Sequence, residues 1–416
     1  MGNKDWTRRI YEHLTFDNTV KSDAFGRSRV TQPITVFDSQ CEYDKQPLLW
    51  VEKSSGTASA THKPFESAVD LTLGTASGDL MIRQTREYFR YQPGKSQLIM
   101  MTFALGEPQS NTTKLVGYGD DKNGVFLGQD GGGTFVLLRS KSSGSVDDTR
   151  KVYQEDWNVD RLNGEDFSKI TADWTKTHIF VADIEWLGVG RVRIGLNIDG
   201  ITYNIHEFLN ANILSTTYMT TANLPCRYEI RNTGVVAAAP TLKQICTTVV
   251  SEGGLQDTLA YPFSTEILDV NMPNGAGNAI CVFAARHALT FNSIENRVRF
   301  DPSQYEIAAT GGTVVAKVIY NPTLVGGTWG AVNAQSAIEG SSDIGAGFSG
   351  GLYTGTSIIT GGQAKSAQPV FGKTVTARLP FGLDVDGASP VPLGLIAYAT
   401  GNNVTASFAF QWSELR

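Results

Sequence analysis

The chain is short of charge. Asp, Glu, Lys and Arg make up 18% of its 416 residues, against about a quarter in an ordinary soluble protein. With 35 basic and 41 acidic residues the balance is −6, which gives no support for a surface built to hold a polyanion. Nucleic acid is therefore not an expected partner. Histidine is scarce too. His13, His62, His178, His206 and His287 show no metal-ligand spacing, so no metal centre is expected. The four cysteines, Cys41, Cys226, Cys246 and Cys281, include no C-x-x-C pair and read as free buried thiols. No apolar run reaches the ~20 residues of a membrane-spanning helix. The first residues lack an apolar secretory stretch, and Trp6 stands where myristoylation after Gly2 wants Ser or Thr. Folding in a cytoplasm, away from any membrane, is expected. Neither a P-loop nor a dinucleotide fingerprint occurs, so no cofactor is expected.

Glycine, by contrast, is abundant at 43 residues, and 41% of the chain is hydrophobic. Little charge, much glycine and frequent Thr and Ser describe an all-β, loop-rich protein. A length of 416 residues exceeds one ordinary core, so more than one domain is expected.

Residues 179–208 read as a three-stranded meander. Phe180, Ala182, Ile184 and Trp186 alternate with Val181, Asp183, Glu185 and Leu187, the two-residue period of a strand. Gly188-Val189-Gly190 offers a short connection with glycine where positive φ is needed. Val192, Ile194, Leu196 and Ile198 continue the apolar face, Asp199-Gly200 marks a type I′ hairpin, and Ile201, Tyr203 and Ile205 return. A three-residue loop pairs Trp186 with Val192, Ile184 with Ile194 and Phe180 with Ile198. The two-residue turn pairs Ile198 with Ile201, Leu196 with Tyr203 and Ile194 with Ile205. On the other face Asn197 meets Thr202, and Glu185 meets Arg193 in a surface ion pair worth ~0.2–1 kcal/mol. A one-residue slip would put the isoleucines in water, so the register is well specified.

Along the rest of the chain, Trp6, Ile10 and Leu14 stand at helical spacing and predict one short helix over residues 4–14. Residues 1–75 otherwise read as an extended N-terminal arm with short strands. Residues 76–254 read as a jelly-roll-like β-sandwich, with strands near 97–105, 114–118, 124–127, 134–139, 227–231 and 245–250 besides the meander. Residues 255–416 are richer in Ala, Gly, Thr and Val and read as a second β-sandwich, an oligomerisation or interaction domain. Its strands are expected near 279–285, 297–300, 314–320, 373–378 and 393–400, and where Ala406, Phe408, Phe410 and Trp412 alternate with polar residues. Residues 326–362 form a Gly- and Ser-rich segment longer than loops usually are, suited to contact with a neighbouring subunit. The expected fold is all-β: two β-sandwiches with an N-terminal arm.

Catalytic signals are weak. Gly347-Phe348-Ser349-Gly350-Gly351 matches the G-x-S-x-G nucleophile elbow but has no helical pattern after it, and the last histidine, His287, precedes the serine. Asp183-Ile184-Glu185 is the one tempting carboxylate pair on a strand. Arg193 opposite Glu185 would lower its pKa, the reverse of what a general acid needs. Asp120-Asp121-Lys122-Asn123-Gly124 could hold Ca²⁺ through loop carbonyls, but it lacks the twelve-residue EF-hand pattern and reads as a plain turn. No catalytic residue is assigned, and an enzyme is not expected. Trp157, Trp174 and Trp329 lie in or near loops and are the candidates for stacking on the apolar face of a sugar.

One stretch of the arm is more specific. Ala24, Phe25, Gly26, Arg27, Arg29, Val30, Pro33, Phe37 and Asp38 fit the pattern A-F-G-R-x-R-V-x-x-P-x-x-x-F-D. This resembles a signature near the N-terminus of structural proteins of tailed bacteriophages. Tyr91-Gln92-Pro93-Gly94-Lys95-Ser96, Trp157-Asn158-Val159-Asp160, residues 186–195 and Asn223-Leu224-Pro225-Cys226-Arg227-Tyr228-Glu229 are similar to the same group. The resemblance covers about residues 20–255 and implies a virion component, with no catalytic residues to carry over. Physically, an extended arm bearing Phe25, Arg27, Arg29, Phe37 and Asp38 could lie along a neighbouring subunit and pair with its carboxylates, or could tie down to its own sandwich.

The expectation is thus a virion structural protein, outward-facing, docked on capsid or tail, acting in assembly and surface display. Its expected partners are other virion proteins and further copies of itself, as a trimer. A host-attachment protein binding a surface glycan is the alternative, and a glycan depolymerase ranks below it.

Overall fold

The computed structural model describes residues 23–26, 32–254, 260–362, 364–370 and 379–416. The expected helix over 4–14, Arg27, Arg29 and the expected strand over 373–378 lie outside these. Among the described residues there is no α-helix, only strands and two 3₁₀ turns. The fold is all-β and divides into two compact units. The first holds residues up to Thr85 and Phe89–Leu255; the second holds Arg86–Tyr88 and Gln256–Arg416.

Fifteen strands build the first unit: β1 (Ile34–Gln40), β2 (Trp50–Ser55), β3 (Ser59–Lys63), β4 (Ala68–Thr72), β5 (Leu80–Thr85), β6 (Gln97–Ala104), β7 (Thr112–Gly119), β8 (Gly124–Asp130), β9 (Gly133–Arg139), β10 (Lys151–Tyr153), β11 (His178–Ile184), β12 (Val192–Ile198), β13 (Ile201–Phe208), β14 (Cys226–Asn232) and β15 (Thr241–Ser251). One sheet runs β13-β12-β11-β6-β15-β4-β3, with β1 also on β15; the other runs β10-β9-β8-β7-β14-β5-β2. Alternate residues of both sheets face one core, including Ile99, Phe103, Phe180 and Val249 from the first and Trp50, Val116, Leu127 and Tyr228 from the second. A buried Val, Leu, Ile or Phe side chain contributes ~1.5–3 kcal/mol, so this core is the main source of the unit's stability.

The expected arm differs from the observed chain. Residues 34–72 supply β1–β4, which belong to the two sheets of this unit. Phe37 is buried against Trp50 and Phe89, while Asp38, the next residue along β1, is exposed and sits opposite Thr248. The alternation of a strand explains both. Phe37 is therefore a core residue and not a free anchor.

The outer face of the β10–β2 sheet carries glycine beneath aromatic rings. A methyl group on Gly128 would stand 2.4 Å from Phe135, and one on Gly119 would stand 2.6 Å from Phe126. Flat packing of a ring over a strand glycine restores the contact that the missing side chain forfeits.

The meander is present with a different register. Ile184 pairs with Val192, Ala182 with Ile194 and Phe180 with Leu196. The connection is longer than three residues. The Glu185 N–H donates to the Arg191 carbonyl (3.0 Å) and the Gly190 N–H to the Trp186 carbonyl (2.8 Å). Leu187 and Gly188 take positive φ, 38° and 82°. A side chain at Gly190 would strike the Glu185 carbonyl at 2.4 Å. The shift of two residues preserves the faces, because the strand period is two, but changes the partners. Arg193 meets Asp183, not Glu185, at 2.8 Å, with each side chain 6% exposed. The expected surface pair is a buried one. On the other side the turn pairing is as read, Ile198 with Ile201, Leu196 with Tyr203 and Asn197 with Thr202. A bulge beyond Gly195 then sets Ile194 opposite His206 and Arg193 opposite Glu207. His206 is on the edge strand but is buried.

In the second unit a four-stranded and a six-stranded sheet enclose another core. The strand Val404–Leu415 alternates as expected, with Val404, Ala406, Phe408, Phe410 and Trp412 buried. Its neighbours are Tyr261–Met272 and Arg299–Thr310. The Gly-rich segment 326–362 forms short strands and packs Trp329 and Phe348 over Cys281, Ala284, Ile319, Ile344 and Ile396. It covers its own sheet. All four cysteines are free; Cys246, contrary to expectation, is exposed.

Candidate functional site

Four of the five segments that carry the phage resemblance meet in the first unit. The Tyr91 N–H donates to Asn223 Oδ1 (2.8 Å), and the Trp186 N–H donates to the Tyr91 hydroxyl (3.1 Å). The Tyr91 and Trp186 rings lie edge to face at 6.1 Å. Arg191, in the same hairpin, gives two N–H groups to the Ala24 carbonyl at 2.8 and 3.2 Å. Ala24 is buried, and Gly26 turns the chain back with φ 76°. Phe25 is half-buried. The described part of the arm signature is thus held by its own unit.

A second arrangement lies where β10 leaves the sheet. A cleft of about 300 Å³ is lined by Gly132, Gly133, Thr134, Tyr153, Gln154, Glu155, Arg161 and Asn163. β10 is an edge strand, with Tyr153 opposite Phe135 of β9. The 3₁₀ turn Gln154–Asp156 follows, then a long polar loop. Buried Asp160 organises that loop: Oδ1 accepts the Leu162 N–H and Oδ2 the Ser168 N–H, each at 2.9 Å. Arg161 makes two 2.8 Å bonds to Asp166, and that guanidinium holds the Asp166 carboxyl down at about 2. Asn158 joins the loop to β13, donating to the Glu207 carbonyl and accepting the Glu207 N–H, both at 2.9 Å. The loop therefore spans from the edge of one sheet to the edge of the other.

Trp157 and Trp174 sit behind this cleft. Trp157 is 5% exposed and donates to the Val152 carbonyl at 3.2 Å. Trp174, half-buried, donates to Gln154 Oε1 at 3.0 Å. Its ring packs perpendicular to Trp157 at 6.2 Å and against His178 at 5.1 Å. The pair is a wall that fixes Gln154, and the burial of Trp157 leaves it no open ring face. Trp329 lies in the second unit with the Arg286 guanidinium over its ring at 3.9 Å. The cleft residues themselves, Tyr153, Gln154, Glu155, Arg161 and Asn163, were not singled out by the sequence. The available cue was a triple glycine together with a strandless loop of unusual length.

The other candidates are absorbed by structure. Asp183 is fixed by Arg193. Ser349 belongs to a two-residue strand paired with Thr323, not to a strand-to-helix elbow. Asp120 accepts the Lys122 and Asn123 N–H groups at 2.8 and 2.9 Å, closing a turn. Asp121 contacts Arg227, which also lies 3.1 Å from Glu229. Burial works against the Asp121 charge, but the Arg227 guanidinium outweighs it and holds the carboxyl below its ordinary range. Among the described residues no group of three or more His, Cys, Asp or Glu could hold a metal ion.

No protein-family model matches the sequence. No curated protein matches it either. Solved structures are similar in fold to about half of the chain. One is a protein of unknown function from Shewanella oneidensis MR-1, with 9% identity and a TM-score of 0.36, covering 56% of this chain and 92% of that one. Peanut lectin with a nonamer peptide has 9% identity and a TM-score of 0.32, covering 53% and 98%. A glycoside hydrolase family protein from Mycobacterium thermorestibile has 11% identity and a TM-score of 0.35, covering 51% and 99%. Likeness at this level assigns no ligand to this chain.

Proposed function

We propose that the chain is a virion structural protein of a tailed phage, an outward-facing component docked on capsid or tail that acts in assembly and surface display. The observation that carries this reading is the junction of Ala24, Tyr91, Trp186, Arg191 and Asn223. These residues come from four separate stretches, each similar to the phage group, and they form one connected framework. A shared framework of this kind supports membership of that group better than any one short motif does. The carboxylates on the best-formed strands are tied into ion pairs, which suits a binding and assembly role over catalysis. Further copies of the chain, as a trimer, and other virion proteins are the partners of this reading. Immunogold labelling of intact particles tests it. Labelling of the particle surface at a fixed location supports it, and unlabelled particles overturn it.

The cleft beside β10 favours a second reading, in which the displayed protein also attaches to a host glycan. The hydroxyl, amide and charged groups of Thr134, Tyr153, Gln154, Glu155, Arg161 and Asn163 in its lining suit a hydroxyl-rich ligand.

A further inference from the structure

We infer that the β10 cleft binds one residue of an uncharged saccharide, held between the Glu155 carboxylate and the Arg161 guanidinium. This rests on the glycan-attachment reading and not on the virion reading.

Most polar groups around the cleft are already engaged. Lys151 is paired with Asp130. Arg161 is neutralised by Asp166 through Nε and Nη2, so the cleft has no net positive charge to draw a carboxylated or sulfated sugar. Tyr153 gives its hydroxyl to Asp130 (3.2 Å). Both ends of the Gln154 amide are used, on the Arg161 carbonyl at 2.7 Å and on the Trp174 N–H at 3.0 Å. Glu155 is exposed and has no hydrogen-bond or ion-pair partner among the described residues. Thr134, in the lining, is 3% exposed, and its hydroxyl has no partner among the described residues.

What remains is the Glu155 carboxylate as acceptor and the Nη1 end of the Arg161 guanidinium as donor, its Nε and Nη2 being held by Asp166, both lining one small space. A carboxylate only accepts and a guanidinium only donates. A ligand hydroxyl does both, so adjacent sugar hydroxyls satisfy the two at once. A carboxylate ligand would be repelled by Glu155, and an ammonium would meet Arg161. Backbone is approachable at Gly133, where a side-chain carbon would meet nothing within 4 Å. The cleft's ~300 Å³ lies at the small end of ligand pockets, enough for one sugar residue and little more. Tyr153 is fixed by its packing on Gly132, whose own side-chain position lies 3.1 Å from the phenol oxygen. The walls are therefore set before a ligand arrives. A single shallow site binds weakly, and repeated copies on a particle would raise the overall strength by avidity.

The test uses the full chain on an array of neutral and acidic glycans, with saccharide titration followed by NMR for any hit. Two variants accompany it, Glu155→Gln and Asn163→Trp, the second filling the cleft; both positions are exposed. The expected result is binding to neutral glycans, weakened at least tenfold by Glu155→Gln and abolished by Asn163→Trp. Both variants should keep the wild-type melting temperature and still enter particles. Three results would overturn the inference: no glycan bound by the wild type, preference for acidic glycans, or equal binding by both variants. Absence of the wild-type chain from particles, with glycan binding intact, would instead overturn the virion reading alone.

Discussion

Arg193 Nη2 lies 2.8 Å from Asp183 Oδ2, and each side chain is 6% exposed. Strands β11 and β12 are thus joined by a buried charge pair as well as by their ladder. Removing Asp183 takes a carboxylate partner away from a guanidinium held in the interior. Asp183→Ala should destabilise the first unit by ~3–5 kcal/mol, whereas replacing both residues by apolar ones of similar volume should cost far less. Urea unfolding of the two variants checks this. Equal losses in both would mean that packing, not charge, holds the site.

Gly128 lies under Phe135. An added methyl would stand 2.4 Å from the ring and 2.8 Å from Leu115. Gly128→Ala should cost ~1–3 kcal/mol through overpacking, a penalty that Phe135→Leu in the same chain should reduce. A double-mutant cycle in thermal unfolding measures the coupling, which should be at least ~0.5 kcal/mol.

His287 is fully buried in the second unit, donates Nε2–H to the Val298 carbonyl at 2.8 Å, and has no partner for Nδ1 among the described residues. Burial pushes its pKa down to about 4, only partly opposed by the Val298 carbonyl. The unfolded chain takes up this proton near pH 6.5 and the folded unit only near 4. Stability is therefore intact above 6.5 and lost as pH falls through this window, by ~3 kcal/mol in all. Melting curves from pH 7 to 4 should show this slope, and His287→Gln should flatten it.

Trp174 steadies the cleft through Gln154. Trp174→Phe keeps a ring but loses the indole donor. Amide exchange should quicken across residues 154–166, while protection in β6 and β11 stays unchanged. Uniform quickening would show that the indole supports the whole sandwich.

Much of the fold was legible because strand alternation is a local signal. Phe408, Phe410 and Trp412 announce a half-buried strand without any partner in view. The meander's faces were readable for the same reason, but its register was not. A three-residue and a five-residue hairpin both keep the isoleucines inside, and only the turn at Leu187 and Gly188 decides between them. That choice moved the ion pair from Glu185 to Asp183 and from surface to interior. Residues 34–72 looked like an arm because β1 and β4 pair with β15, far along the chain. The cleft was illegible for a related reason. Gly133, Glu155 and Arg161 come together only through the fold, whereas Trp157 and Trp174 were conspicuous as residue types and proved to be its support.

The proposed role makes the chain a component of a phage particle. Cross-linking mass spectrometry on purified intact particles tests it most directly, with copy number measured against the major capsid protein. A virion component should show a fixed copy number and links to capsid or tail proteins from first-unit lysines such as Lys63, whose side chain is 43% exposed. Particles that lack the chain, or that hold it without a reproducible link to any virion protein, would contradict it.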